Sequence, residues 1–122
     1  MKDAIAVAVL NWNGRKLLEH YLPKVVAHSA PHPVYIIDNA SSDSSLDYVR
    51  EEFPEVHIIQ TGDNLGYAGG YNKGLEDIHE PFCVLLNSDV RTTPGWLNPI
   101  AEHFKEHPKC AGLQPKILWD RE

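Results

Sequence analysis

Two oxygen-bearing side chains two residues apart, Asn87 and Asp89, follow the apolar run FCVLL at 82–86. On a continuing strand both would point to one face. A carbonyl and a carboxylate oxygen together suit a hard cation such as Mg2+ or Mn2+, which can bridge to a diphosphate. With one full carboxylate, the phosphates must complete the metal's shell. The competing reading is a type I turn, with Asn87 or Asp89 capping a helix near Pro94. A second carboxylate, Asp38, directly follows the apolar run VYII. It only accepts hydrogen bonds, so at a cleft wall it suits a partner carrying an N–H, such as the imide of uracil or thymine or the edge of guanine. A turn or cap is an equally good role for Asp38 taken alone.

The third stretch is DNLGYAGGYNKG at 63–74, in which four of twelve residues are glycine. Each glycine inside a helix costs about 0.5–1 kcal/mol relative to alanine. A dinucleotide-binding GxGxxG fails, because Ala68 and Tyr71 occupy its second and third glycine positions counted from Gly66. A P-loop fails because Gly-Lys-Ser/Thr is missing. The spacing predicts a helix whose first turns approach a ligand or a strand closely, using small residues at 66, 68, 69 and 70. Asn64 and Asn72 would supply amide hydrogen bonds. Tight packing of helix on sheet alone is the alternative for these small residues, and the expected role of Gly74.

Apolar runs alternating with helical spacing must position these groups. AIAVAVL (4–10) reads as a strand buried on both faces, VYIID (34–38) as a second buried strand, and VHIIQ (56–60) and FCVLL (82–86) as a third and a fourth strand. Leu17, Leu18, Tyr21, Leu22, Val25 and Val26 form a helical stripe that Pro23 should kink or restart. Residues 44–53 form a short helix capped by Asp43 or a neighbouring serine. The glycine-rich stretch runs as a helix to about His79. Trp96, Leu97, Ile100, Ala101 and Phe104 mark another helix, and CAGLQPKILW (110–119) a short last strand interrupted by Pro115. The order β-α-β-α-β-α-β-α-β implies an α/β fold, a mostly parallel sheet with helices on both faces. Such sheets bind ligands at the carboxyl ends of their strands. The four strand ends release Asn11-Trp12-Asn13-Gly14, Asp38 through Asp43, Asp63-Asn64-Leu65-Gly66 and Asn87-Ser88-Asp89. One such loop is ordinary turn chemistry; four at one edge favour a shared cleft.

The 122 residues suffice for one domain. A net charge of -6 argues against non-specific nucleic-acid binding. No apolar run approaches the roughly 18 residues of a membrane span, and the N-terminus lacks the shape of a signal peptide. Cys83 and Cys110 read as small core residues in a reducing compartment, which places the chain in the cytoplasm. His103 and His107 lie four apart, but among Glu102, Lys105 and Glu106 they read as a solvated face rather than a metal site. His28 and His32 flank a turn, while His20, His57 and His79 have no evident partner. Trp12 could stack on a base or pack on the next helix; Trp96 and Trp119 are expected to pack.

Together VAVLNWNG (7–14), IIDNASSDSS (36–45), DNLGYAGGYNKGL (63–75) and VLLNSDV (84–90) resemble family 2 glycosyltransferases, nearest the bacterial rhamnosyltransferase-like branch. The resemblance covers nearly the whole chain in matching order. It implies the GT-A fold, a Rossmann-like nucleotide-diphospho-sugar-binding sandwich, here truncated over residues 1–122 with the acceptor-binding part missing. It implies inverting transfer of a sugar from UDP, dTDP or GDP to an acceptor hydroxyl on a glycan or lipid-linked sugar. By that likeness Asn11 lines the nucleotide pocket, Asp38 with Asn39 meets the base, and Asp43 supports that loop or the ribose. The stretch holding Asn64, Gly66, Gly69 and Asn72 flanks the nucleoside and diphosphate. Asp89 is the ligand for Mg2+ or Mn2+ in a motif that reads Asn87-Ser88-Asp89, so its first acidic position is an amide. The family's general base lies well downstream of that motif, so this chain holds no catalytic residue and is expected to be inactive in isolation. A longer protein of this kind could be membrane-peripheral. An uncovered sheet edge is expected to favour a homodimer. The alternative function is a non-catalytic nucleotide-sugar-binding or assembly module.

Overall fold

A computed structural model describes residues 4–119. Four strands alternate with four helices: β1 (Ile5–Asn11), α1 (Arg15–Ser29), β2 (Val34–Asp38), α2 (Ser45–Glu52), β3 (His57–Gln60), α3 (Gly66–Leu75), β4 (Phe82–Leu86) and α4 (Leu97–Glu106). Every pairing is parallel and the order is β3-β2-β1-β4. The direction of strand addition therefore reverses at β1, and the switch point lies between β1 and β4. Asn11 pairs with Asp38, and Val9 with Leu86, so the ends of β1, β2 and β4 lie side by side.

The alternation of side chains divides the apolar residues between two faces. Ile5, Val7 and Val9 of β1, Val34 and Ile36 of β2 and Leu86 of β4 meet Leu18, Leu22 and Val25 of α1, Val49 of α2, and Leu97 and Ile100 of α4. The other face, with Ala8 and Ile37, is covered by Tyr71 of α3 alongside Leu10 and Ile59. Helices thus cover both faces, three on one and one on the other.

That single helix explains two glycines. A Cβ on Gly74 would lie 2.7 Å from Cγ1 of Ile37, and one on Gly70 would lie 2.6 Å from Cδ1 of Leu10 and 2.7 Å from Nδ2 of Asn39. The sequence leaves alanine out so that the α3 backbone can descend onto β1 and β2.

Several expectations are corrected. α1 runs through Pro23 without a break, because Pro23 sits on its exposed side where the Glu19 carbonyl faces water. α3 ends at Leu75, not near His79. Residues 107–119 form no strand: Pro115 lacks a donor, and no neighbouring strand offers a ladder. Trp119 is 91% exposed rather than packed. Cys83 is exposed and Cys110 half-buried, and both are free thiols. Cys83 and Leu85 lie on the α3 side of β4, which α3 touches only at the Leu86 carbonyl through Tyr71, so alternation leaves them uncovered. The partnerless histidines also find contacts: His57 stacks on Tyr35, and His20 packs edge-on against Tyr21. Among the described residues, no helix is long and apolar enough to cross a membrane.

Replacing Gly74 with alanine gains up to about 1 kcal/mol of helix propensity but forces overlap with Ile37, which costs about 1–3 kcal/mol. Urea titration should therefore show Gly74→Ala destabilised. Gly112→Ala, with nothing within 4 Å of the new methyl, should match the parent.

Candidate functional site

The ends of β1 and β2 are joined by a buried polar network. Asn11 and Asp38 are each 1% exposed. Nδ2 of Asn11 donates to Oδ1 of Asp38 (2.9 Å), to Oγ of Ser45 (2.9 Å) and to Oγ of Ser41 (3.2 Å). Asp38 also accepts the Ser41 backbone N–H at Oδ2 (2.9 Å) and the Ser41 hydroxyl at Oδ1 (2.7 Å). A buried carboxylate is tolerable only with donors of this kind around it. The place at the cleft wall expected for Asp38 is therefore corrected: its carboxylate faces inward and is occupied by its own chain.

The loops beyond are laced together. Asn13, at φ 50°, accepts the Ser42 and Asp43 N–H groups at Oδ1, and its own N–H reaches Oγ of Ser41. Asp43 accepts the Ser45 N–H and hydroxyl and the Arg15 N–H, which ties the start of α2 to the start of α1; the N-cap position itself is Ser44, without a side-chain cap bond. Burial acts to raise the Asp43 carboxyl, but the Ser45 and Arg15 hydrogen bonds outweigh it and hold it below the ordinary carboxylate range. Ala40 takes a left-handed backbone at φ 61° between Asn39 and Ser41.

Asn39, 2% exposed, connects this network to the glycine-rich helix. Its Nδ2 donates to the Gly66 carbonyl (2.9 Å), and its Oδ1 accepts the Thr61 hydroxyl (2.9 Å). Gly66 opens α3 with φ 74°, a conformation that suits glycine, and its N–H is received by Oδ1 of Asn64 (3.1 Å). Gly69 lies against Leu65: a methyl at this glycine would stand 3.0 Å from the Leu65 Cβ. Asn72 is exposed on the same helix.

At the fourth strand end, β4 stops at Leu86, and Ser88 and Asp89 form a turn. Asn87 and Asp89 are exposed there, so the shared strand face expected for them is replaced by the turn. α4 starts only at Leu97 and has no side-chain cap from either residue. Asn11, Asp38, Asn39 and Asp43 thus form one bonded unit, Asn64 and Gly66 join it through Asn39, and Asn87 and Asp89 stand at the neighbouring strand end. Asn13, Ser41, Ser45 and Thr61 hold this unit together, and no motif in the sequence singles them out. The run SSDSS between a strand and a helix is the available sign.

One atom in the unit is unsatisfied. Among the described residues, Oδ1 of Asn11 is the buried side-chain polar atom without a hydrogen-bond partner. The Asn11 amide nitrogen is fully engaged by Asp38, Ser41 and Ser45, which fixes which atom is left over. A Cβ on Gly14 would lie 2.7 Å from this oxygen, so a residue with a side chain would crowd it. An unmet buried acceptor costs about 1–3 kcal/mol until a donor arrives. For a cation, no group of three His, Cys, Asp or Glu side chains able to hold a metal lies among the described residues, and this strand end offers one exposed carboxylate, Asp89, with the amide of Asn87 two residues away. That suits Mg2+ or Mn2+ shared with phosphates, which one or two carboxylates ordinarily hold.

A cavity of about 500 Å3 lies at the opposite, amino edge of the sheet, lined by Tyr35, His57, His79, Glu80 and prolines. Tyr35 donates to Glu80 there, and burial together with that carboxylate pushes its hydroxyl up to about 12. None of the strand-end motifs reaches this edge.

A sequence model described as "Glycosyl transferase family 2" matches residues 6–121. The chain is 26% identical over 129 aligned positions to N-acetylglucosaminyl-diphospho-decaprenol L-rhamnosyltransferase of Mycobacterium tuberculosis, covering 96% of this chain and 42% of that protein. Its fold is similar to S. aureus TarS 1-349 solved with UDP-GlcNAc, with a TM-score of 0.75 and 22% identity over 86% of this chain and 32% of that one. It is also similar to the Pyrobaculum calidifontis mannosyltransferase PcManGT in complex with GDP-Man and Mn2+, with a TM-score of 0.68 and 22% identity over 83% of this chain and 31% of that one. The chain therefore spans less than half the length of these relatives.

The lowered Asp43 carboxyl gives the folded state an advantage present above the ordinary carboxylate value of 3.8 and lost as pH falls through the lower folded value. Between pH 5 and pH 2 the parent's melting temperature should fall more steeply than that of Asp43→Asn, as followed by circular dichroism.

Proposed function

Because this chain belongs to glycosyl transferase family 2, we propose that residues 1–122 are the donor-binding part of a transferase that takes a sugar from a nucleotide diphosphate. The observation that carries this reading is the orphaned Oδ1 of Asn11 at the carboxyl edge of β1, beside the switch point. Buried close against Gly14 and without a donor of its own, it suits an incoming ligand N–H such as the ring imide of uracil or thymine or the N1–H of guanine. Asp38 acts behind it: by drawing in the Asn11 amide nitrogen, its carboxylate leaves the amide oxygen for the base. Asp43 and Asn39 hold the flanking loops, and Asn64, Gly66, Gly69 and Asn72 border the nucleoside from α3.

The diphosphate extends toward Asn87 and Asp89. A Mg2+ or Mn2+ ion held there by Asp89 would neutralise the leaving diphosphate. The structures solved with UDP-GlcNAc, and with GDP-Man and Mn2+, support a ligand of this class. The reaction proposed is inverting transfer to an acceptor hydroxyl of a glycan or lipid-linked sugar. The latter is favoured by the name of the mycobacterial relative. We place no general base among the described residues, so the isolated chain should bind donor and transfer it poorly. We further propose a cytoplasmic protein that forms a homodimer across the bare β4 flank, where Leu85 is 48% exposed.

Calorimetric titration with UDP, dTDP and GDP, with and without Mn2+, tests the proposal. One nucleotide should bind, about tenfold tighter with Mn2+, a gain of about 1.4 kcal/mol. Asp89→Ala should remove the gain while leaving metal-free binding. A folded chain that binds none of the three overturns the reading.

A further inference from the structure

Tyr71 is the one aromatic side chain that α3 buries against the sheet, at 2% exposure, and its hydroxyl lies where two strands part. The last β1–β4 pair is Val9 with Leu86. The Val7 N–H bonds Pro33 and the Asn11 carbonyl bonds Asn39, both on the β2 side. Alternation along β1 therefore turns the Leu10 N–H toward β4, where the Leu86 carbonyl faces it. The Tyr71 hydroxyl straddles this last rung: it accepts the Leu10 N–H (3.3 Å) and donates to the Leu86 carbonyl (2.9 Å). One residue further on stand Asn11 and Asn87, and Asp89 follows in the turn.

Neither contact is needed to bury the ring. Phenylalanine would fill the same space between Ala8 and Ile37, and Gly70 and Gly74 already let the helix down onto the strands. What the oxygen adds is a single group bonded to β1, to β4 and, through its own backbone, to the glycine-rich helix. Burial pushes the hydroxyl up to about 12, against the Leu10 N–H that lowers it, so it keeps its proton for Leu86 at any physiological pH.

We propose that Tyr71 is a positioning residue: its hydroxyl, bonded to β1 and β4 at their last rung, fixes the gap between Asn11 and the Asn87–Asp89 turn. A base held at Asn11 and a diphosphate held at Asp89 must span that gap, so its width selects a donor of the right length and metal placement. This part rests on the donor-binding reading above; the placement of the strand ends does not.

The test compares Tyr71→Phe with Tyr35→Phe in the 122-residue chain. Both delete one hydrogen-bonded hydroxyl, but Tyr35 lies at the amino edge, bonded to Glu80. Both variants should melt a few degrees lower. Tyr71→Phe alone should weaken binding of the nucleotide in the presence of Mn2+ by about tenfold, and should speed amide exchange at Leu10 and at Asn87 through Asp89. Equal affinities in the two variants overturn the proposal. If the parent binds no nucleotide, the donor reading fails and amide exchange decides alone: exchange at 87–89 unchanged by Tyr71→Phe overturns the positioning role. The parent supplies a reading that no folding defect can spoil. Its Tyr71 hydroxyl proton should exchange slowly enough to give a magnetic-resonance signal, and a freely exchanging hydroxyl overturns the proposal.

Discussion

The contact on which the site depends is the hydrogen bond from the Asn11 amide to the buried Asp38 carboxylate (2.9 Å). A carboxylate at 1% exposure is costly to desolvate unless donors surround it. Ser41 supplies two and Asn11 a third, so the β2–α2 loop must curl back over the end of β1. That curl brings Asn13, Asp43 and Arg15 together and sets the starts of α1 and α2. The orientation of Asn11 follows too, since an amide that gives its nitrogen to three oxygens can offer only its carbonyl elsewhere. One buried carboxylate thus determines which Asn11 atom is left without a partner.

The second constraint is how closely α3 lies on the sheet. Glycines at 70 and 74 let the helix backbone rest on Leu10, Asn39 and Ile37. This closeness lets Asn39 reach the first carbonyl of α3 and lets Tyr71 reach both strands. The glycines that weaken the helix as a helix therefore locate it as part of the site. Of the roles that the spacing alone allows for this stretch, packing is what Gly70 and Gly74 do, while Gly66 makes the left-handed entry turn.

Much of this is legible in the sequence. The period of apolar residues identifies four strands and four helices in order, and the polar strand ends name Asn11, Asp38, Asn39 and Asp43 at one edge. Pattern reports which residues are apolar, but not what will cover them. Cys83 in the strand FCVLL reads as a small core residue, yet Cys83 and Leu85 are bare because no helix lies over that part of β4. CAGLQPKILW (110–119) reads as holding a last strand, but a strand exists only with a partner, and none pairs with 110–119. The inward turn of Asp38 is hidden for a related reason. Whether a carboxylate meets a ligand or its own chain depends on serines that look, in sequence, like ordinary loop residues.

Ala40 carries a consequence of its own. At φ 61° an alanine sits in a backbone region that costs an ordinary residue about 1 kcal/mol or more. Its neighbours Asn39 and Ser41 are both held by the polar network, so the peptide between them has no freedom to relax. The loop is a loaded spring, kept under tension by the bonds on either side. A glycine there would release the tension and also let the loop wander. The chain thus gives up some thermal resilience for a loop held in one shape by its own hydrogen bonds.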